Sequence, residues 1–190
     1  MQATDMLRKI VITKHVLISV KNMGENKEVL TSYITERLLK QLSFTKACEY
    51  GYFLAVTKLI SIGHGNTEFS SEHILFPVDI CCRTFTPVVG EVFTGIVHKV
   101  FERGVILKSG PMNMVYLSAR KMPDYFYVLG ESPTFVRDDG SKIEIGVVVR
   151  YSIFAVRWIE DKRREFRVLA TIDSDGLGPV ALNGLDGVDI

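Results

Sequence analysis

Leu30, Ile34, Leu38 and Leu42 recur at every fourth position in a chain whose other apolar residues fall largely in short β-branched and aromatic runs. The spacing predicts one amphipathic helix over residues 27–42, with Tyr33 and Leu39 widening its apolar stripe. A helix that is apolar on one side needs a sheet to pack against. The runs at residues 10–20, 51–62 and 73–85 supply that sheet, being rich in residues that fit a pleated, half-buried surface. Pro77 has no N–H for a ladder, so the third run is expected to be an edge strand or two short strands. The polar stretch "GHGNTEFSSE" joins the second run to the third as a loop. Residues 1–87 therefore read as an α+β module.

Beyond "FTPVVGE" no comparable helix follows. Short strands are expected at residues 92–100, 104–108, 114–117, 146–158 and 165–172, with a long connection over 122–143 that holds the turn "DDGSK". Five short strands with a long connection after the third describe a small all-β barrel of the OB type over residues 88–180. The last residues, 181–190, read as a flexible acidic tail. A chain of 190 residues is long enough for two such modules. Its 47% hydrophobic content, with 10% aromatic residues, excludes a disordered chain.

No apolar run approaches the roughly 18 residues needed to cross a bilayer, so no membrane partner is expected. Lys14 and His15 interrupt the first apolar run and no small-residue cleavage site follows, which argues against a secretory signal. Cys48, Cys81 and Cys82 lack CxxC spacing and support neither a disulfide framework nor a zinc site. A reducing compartment, cytosol or nucleus, fits best.

The net charge of +1 hides an asymmetry. Residues 94–121 carry Lys99, Arg103, Lys108, Arg120 and Lys121 against the single acid Glu102, whereas from Asp173 onward the chain has four Asp and no Lys or Arg. Alternation turns Val105, Leu107, Val115 and Leu117 inward and leaves Ile106, Lys108, Tyr116 and Ser118 outside. Lys108 and Tyr116 then share one open face. An exposed aromatic beside cations suits single-stranded nucleic acid, since the ring stacks a base while the cations neutralise phosphates. The plainer alternative is a solubilising sheet face with Tyr116 at the barrel rim.

Catalytic patterns are poorly supported. His15, His64, His73 and His98 are dispersed and none has metal-ligand spacing; no metal or cofactor is expected. There is no GxSxG elbow, and "GHGN" lacks the lysine and hydroxyl residue that complete a phosphate loop. Asp138 and Asp139 read as a solvated turn, and Cys81 and Cys82 as packing residues on opposite strand faces. A hydrolase with an RNA-binding appendage would need an acidic or metal cluster, which the sequence does not display.

The stretches "EYGYFLAVTKLISIGHG", "ILFPVDICCRTFTPVVGEVFTGIV", "SGP", "SPTFVRDDGSKIEIGVVVR" and "ATIDSDGLGPV", in this order and spacing, resemble the RNA polymerase stalk subunit family. Its members are called the seventh subunit in eukaryotes and the E-prime subunit in archaea. The resemblance covers about residues 10–180 and implies a non-catalytic subunit of a nuclear polymerase: a tip module followed by an OB barrel of the ribosomal S-one type. It implies a fourth-subunit-type stalk partner, docking on polymerase core subunits around Ile62, Gly63, His64 and Gly65, and a barrel that meets emerging single-stranded RNA through Lys99, Phe101, Arg103, Lys108, Tyr116 and Arg120. Family members commonly have an aromatic pair near the first strand, where this chain has Leu7, Arg8 and Lys9. Where the barrel's second strand often carries aromatics, this chain has "RGVIL", which shifts RNA affinity from stacking toward charge. Such departures within an intact scaffold suggest a paralogue serving a specialised polymerase, such as the plant enzymes of RNA silencing. A free-standing RNA-binding factor of translation or RNA decay is the alternative.

Overall fold

The computed structural model describes residues 6–22, 27–45, 47–66, 72–160 and 165–180. Strands dominate, and α1 (Lys27–Phe44) is the single α-helix among the described residues. Contacts divide the chain into two compact units, the first made of the residues up to Thr86 together with Glu160 and Glu165, the second of the rest from Pro87 onward.

The first unit is a four-stranded antiparallel sheet of β1 (Leu7–Ser19), β2 (Ala47–Cys48), β3 (Gly51–Ile62) and β4 (His73–Phe85), in the order β1-β4-β3-β2. Ile34 and Leu38 of α1 are fully buried and meet Val16, Ile18, Phe76, Val78, Ile80 and Cys82. Truncating either helix residue to alanine would cost about 2–5 kcal/mol. The stripe is narrower than its spacing suggested: Leu39 is 51% exposed and Tyr33 36%.

β4 corrects the expectation for Pro77, because it is one continuous 13-residue strand at the centre of the sheet. The physical reason lies in where the proline falls. On one side β4 pairs with β1 without interruption, His15 opposite Pro77. On the other, β3 ends at Ile62, and Gly63 donates its N–H to the Pro77 carbonyl at 2.8 Å. A residue's N and C=O point to the same side of a strand, so the missing N–H faces the point where the β3 ladder stops. β3 itself departs from simple alternation, with register shifts at Phe53/Ala55, Val56/Lys58 and Leu59/Ser61. Three bulges let Phe53, Val56, Leu59 and Ile62, three residues apart, all pack against the helix core.

In the second unit, β5 (Val92–Phe101), β6 (Gly104–Ser109) and β7 (Met112–Ser118) form an antiparallel meander. β11 (Val148–Ile159) pairs with β5, and β12 (Glu165–Thr171) pairs with both β11 and, in parallel, β7. These five strands close a ring in the order β5-β6-β7-β12-β11. The short β13 (Gly178–Pro179) adds to β11. Val97, Val105, Leu107, Val115, Leu117, Val149, Tyr151, Ile153 and Val168 fill the interior, with Tyr151 wholly buried. Its ring needs the space left by Gly95, where a Cβ would lie 3.2 Å from the ring edge.

The connection after β7 holds more structure than expected. A 3-10 turn (Ala119–Lys121) leads to a three-stranded sheet, β8 (Phe126–Val128), β9 (Thr134–Val136) and β10 (Lys142–Ile143), in the order β10-β9-β8. "DDGSK" forms the β9–β10 turn: Asp139 accepts from the Ser141 N–H at 2.9 Å and its hydroxyl at 2.6 Å, and pairs with Arg137. The expected acidic tail, 181–190, lies outside the described residues, as do residues 67–71 of the polar loop.

Candidate nucleic-acid interface

The outer face of β5, β6 and β7 is built by two departures from regular pairing. Alternation from buried Val97 would turn Lys99 inward. A bulge at His98 intervenes, pairing Val97 with Leu107 but Lys99 with Ile106, so that His98 and Lys99 both stay exposed before Val100 returns to the core. The second departure is Gly104, at φ +144°, where a Cβ would lie 2.3 Å from the Leu117 carbonyl oxygen. Only glycine lets the β5–β6 turn close this tightly on β7.

That closeness fixes the aromatic. Tyr116 donates its hydroxyl hydrogen to the Arg103 carbonyl at 2.6 Å, and the same carbonyl accepts the Ala119 N–H at 2.9 Å. The tyrosine is therefore half-buried and tethered to the turn, with its position fixed before any ligand arrives. Across the strands, Lys99 is opposite Ile106, Ile106 opposite Tyr116, and Tyr116 opposite Leu169. With strands about 4.8 Å apart, the Lys99 and Tyr116 backbones stand about 10 Å from each other.

The other expected residues fall around this row. Lys108 is exposed on the same face, opposite Ile96, diagonal to Tyr116 and not beside it. Phe101, 50% exposed, ends β5, while Arg103 in the turn and Arg120 in the 3-10 turn are both exposed nearby along the chain path. Lys99, Arg103, Lys108 and Arg120 have no carboxylate partner among the described residues. Unneutralised cations beside exposed apolar surface can hold phosphates while bases lie on the sheet.

Sequence reasoning missed Ile96 and Leu169, 53% and 41% exposed, which widen the apolar part of this face. It also missed Phe154, whose ring is covered by the Lys121 ammonium at 3.9 Å. The alternation of each strand could have flagged Ile96 and Leu169. The Lys121–Phe154 contact joins residues far apart in sequence and had no local signal.

In the first unit, the glycines of Ile62, Gly63, His64 and Gly65 have a structural reason. A Cβ at Gly63 would lie 2.7 Å from the Pro77 ring, and one at Gly65 would lie 2.4 Å from Ile74. The segment hugs β4, held further by two Asn66–Leu75 backbone bonds of 2.9 Å, and leaves His64 exposed. The cysteines are free, and burial pushes the Cys48 and Cys82 thiols up, away from the thiolate a nucleophile needs. Among the described residues no group of three or more His, Cys, Asp or Glu is placed to hold a metal, and no helix is long and apolar enough to cross a membrane.

DNA-directed RNA polymerase V subunit 7 of Arabidopsis thaliana is 38% identical to this chain over 177 residues, 93% of this chain and 99% of that protein. The chain belongs to the seventh-subunit family of DNA-directed RNA polymerases. DNA-directed RNA polymerase IV subunit 7 of the same plant is 41% identical over 155 residues, 80% of this chain and 87% of that protein. Polymerase II subunit 7 of that plant is 28% identical over 173 residues, 90% of this chain and 94% of that protein. This seventh-subunit chain therefore stands with the forms of polymerases IV and V, as its departures at the first strand of the chain, Leu7 to Lys9, and at the barrel's second strand had suggested. No protein-family model matches it.

Proposed function

We propose that this seventh-subunit chain is a non-catalytic stalk subunit of a nuclear DNA-directed RNA polymerase of the specialised kind, acting by binding alone. The observation that carries the reading is similarity to polymerase V and IV subunits over 93% and 80% of the chain. In this reading residues 1–87 are the tip module, docking on core subunits around Ile62, Gly63, His64 and Gly65, and a fourth-subunit-type partner completes the stalk. Residues 88–180 are the OB barrel, a reading supported by the ring order and by the parallel β7–β12 pairing.

The barrel's outer face holds emerging single-stranded RNA. Tyr116 and Phe101 offer stacking surfaces, each worth about 1–3 kcal/mol per base, and the four unpaired cations offer phosphate contacts. Service to a silencing polymerase rests on the relatives, in keeping with the departures at residues 7–9 and 103–107. Crosslinking of nascent RNA to purified complexes tests the RNA part. Lys108→Glu with Tyr116→Ala is expected to reduce crosslinks while leaving assembly intact; unchanged crosslinking would remove the RNA role.

A further inference from the structure

In the first unit's sheet β1 is an outer strand, pairing with β4 alone among the described residues. Its backbone groups alternate between its two sides, and the bonds made by β4 show which of them are left over. The Pro77 carbonyl is turned toward the end of β3, where it accepts the Gly63 N–H, and Leu75 exchanges two bonds of 2.9 Å with Asn66 on the same side. Their partners across the ladder, His15 opposite Pro77 and Leu17 opposite Leu75, therefore form non-hydrogen-bonded pairs with them. The N–H and C=O of His15 and of Leu17 consequently point out of the sheet edge, away from β4.

A cleft of about 310 Å³ runs along this stretch of edge, walled by His15, Val16 and Leu17 on the strand and by Arg37, Lys40 and Gln41 on α1. Its polar side chains are three bases and one amide, with no carboxylate. Arg37, Lys40 and Gln41 share one side of the helix, three and four positions apart, and all are exposed. Arg37 has no hydrogen-bond or ion-pair partner among the described residues. The helix dipole does not account for these cations, since the last turn of α1 holds no basic residue. Two nearby acids stay out of the cleft. Glu36 is not in its wall, and Asp79, on the same sheet face as His15, has its two oxygens taken by the Thr13 and Ser61 hydroxyls at 2.7 Å.

We propose that this cleft binds a phosphate group, held by the Arg37 guanidinium, the Lys40 ammonium, the Gln41 amide and an edge N–H of His15 or Leu17. A phosphate monoester carries about two negative charges at pH 7 and presents acceptor oxygens, which matches two cations set among further donors. The planar fork of Arg37 meets two oxygens at once, while Lys40 adds a point charge. The group can arrive as the free anion or on a phosphorylated protein side chain. The outward carbonyls of His15 and Leu17 favour the second source, because an extended peptide can pair with the edge while its phosphate enters the cleft. The proposal uses no side chain of the barrel face and none of residues 62–65, so it rests on neither the RNA reading nor the docking reading.

The test titrates the full chain, labelled with nitrogen-15, with inorganic phosphate and separately with a peptide of alternating valine and threonine that bears one central phosphoserine. Ionic strength is held constant and the backbone amides are followed by NMR. The expected result is saturable movement of the His15 or Leu17 amide with both ligands, the phosphopeptide binding at least about tenfold tighter. Peptide binding no tighter than that of inorganic phosphate would support the site and assign it to the free anion. Arg37→Gln with Lys40→Gln should weaken both ligands about tenfold or more while leaving the thermal transition in place. Lys9→Gln, which removes an exposed cation of β1 outside the cleft, should change neither affinity. Amides at His15 and Leu17 that do not move, movement spread evenly over the exposed cations of the chain, affinities indifferent to the double variant, or tighter binding of single-stranded RNA than of the phosphopeptide at this cleft would each overturn the proposal.

Discussion

If the barrel face holds RNA as proposed, its most quantitative consequence is the salt dependence of that binding. Lys99, Arg103, Lys108 and Arg120 are exposed and lack carboxylate partners among the described residues. If each meets one phosphate, four counterions are displaced and log K should fall against log [salt] with a slope of about −2.8, at about 0.7 per phosphate on a single strand. Between 50 and 200 mM salt, affinity then drops about 50-fold. Lys99→Ala with Lys108→Ala removes two contacts, and the slope should relax to about −1.4, a drop of about 7-fold over the same range. Tyr116→Ala acts differently: it should weaken binding by about 1–3 kcal/mol at every salt concentration and leave the slope alone. Fluorescence anisotropy of a labelled single-stranded RNA, titrated with purified chain at several salt concentrations, reads both quantities. A slope unchanged by the double lysine variant would refute the assignment of these cations to phosphates, and a slope altered by Tyr116→Ala would refute the division of labour.

Gly104→Ala should destabilise the barrel by about 2–6 kcal/mol, combining strain at a glycine-only conformation with the clash against the Leu117 carbonyl. Gly110→Ala, at φ +53° with open space around it, should cost only about 1 kcal/mol when both variants are unfolded in urea. Similar costs at both sites would contradict the steric argument. Thr84 is fully buried in β4 with an unpartnered hydroxyl, so Thr84→Val should be neutral or stabilise the chain by about 1 kcal/mol; a loss of stability by thermal melting would show that the hydroxyl has a partner. Arg137, followed by the Ser141 hydroxyl and N–H, holds the Asp139 carboxyl well below the usual carboxylate range. A depressed folded value means that the turn's contribution is present above the ordinary carboxylate pKa, about 3.9, and is lost only as the pH falls to the folded value. Carboxyl NMR should show Asp139 titrating below the other exposed carboxylates; an ordinary midpoint would refute the pairing.

Local patterns carried most of the fold. The four-residue spacing from Leu30 to Leu42 marked the helix, and the period-two alternation in β6 and β7 placed Val105, Leu107, Val115 and Leu117 inside correctly. Pro77 misled because a proline reports only its own missing N–H, and whether that position faces a partner depends on where β3 ends, which no local sequence encodes. The three bulges of β3 and the His98 bulge were hidden for a related reason: each is decided by the neighbouring strand. The basic face was legible as a run of cations, but the tether from Tyr116 to Arg103 and the Lys121–Phe154 contact arise only when the chain folds back. The connection after β7 read as irregular because β8, β9 and β10 are too short for a periodicity signal.

Purification of a tagged copy from its own cells at high salt, with mass spectrometry of everything that co-elutes, tests the central claim most directly. Membership of a polymerase predicts that large polymerase subunits are recovered in stable proportion, and their identity names the enzyme it serves. Elution alone, or with ribosomal proteins and RNA, would contradict the account and leave a free-standing RNA-binding factor in its place.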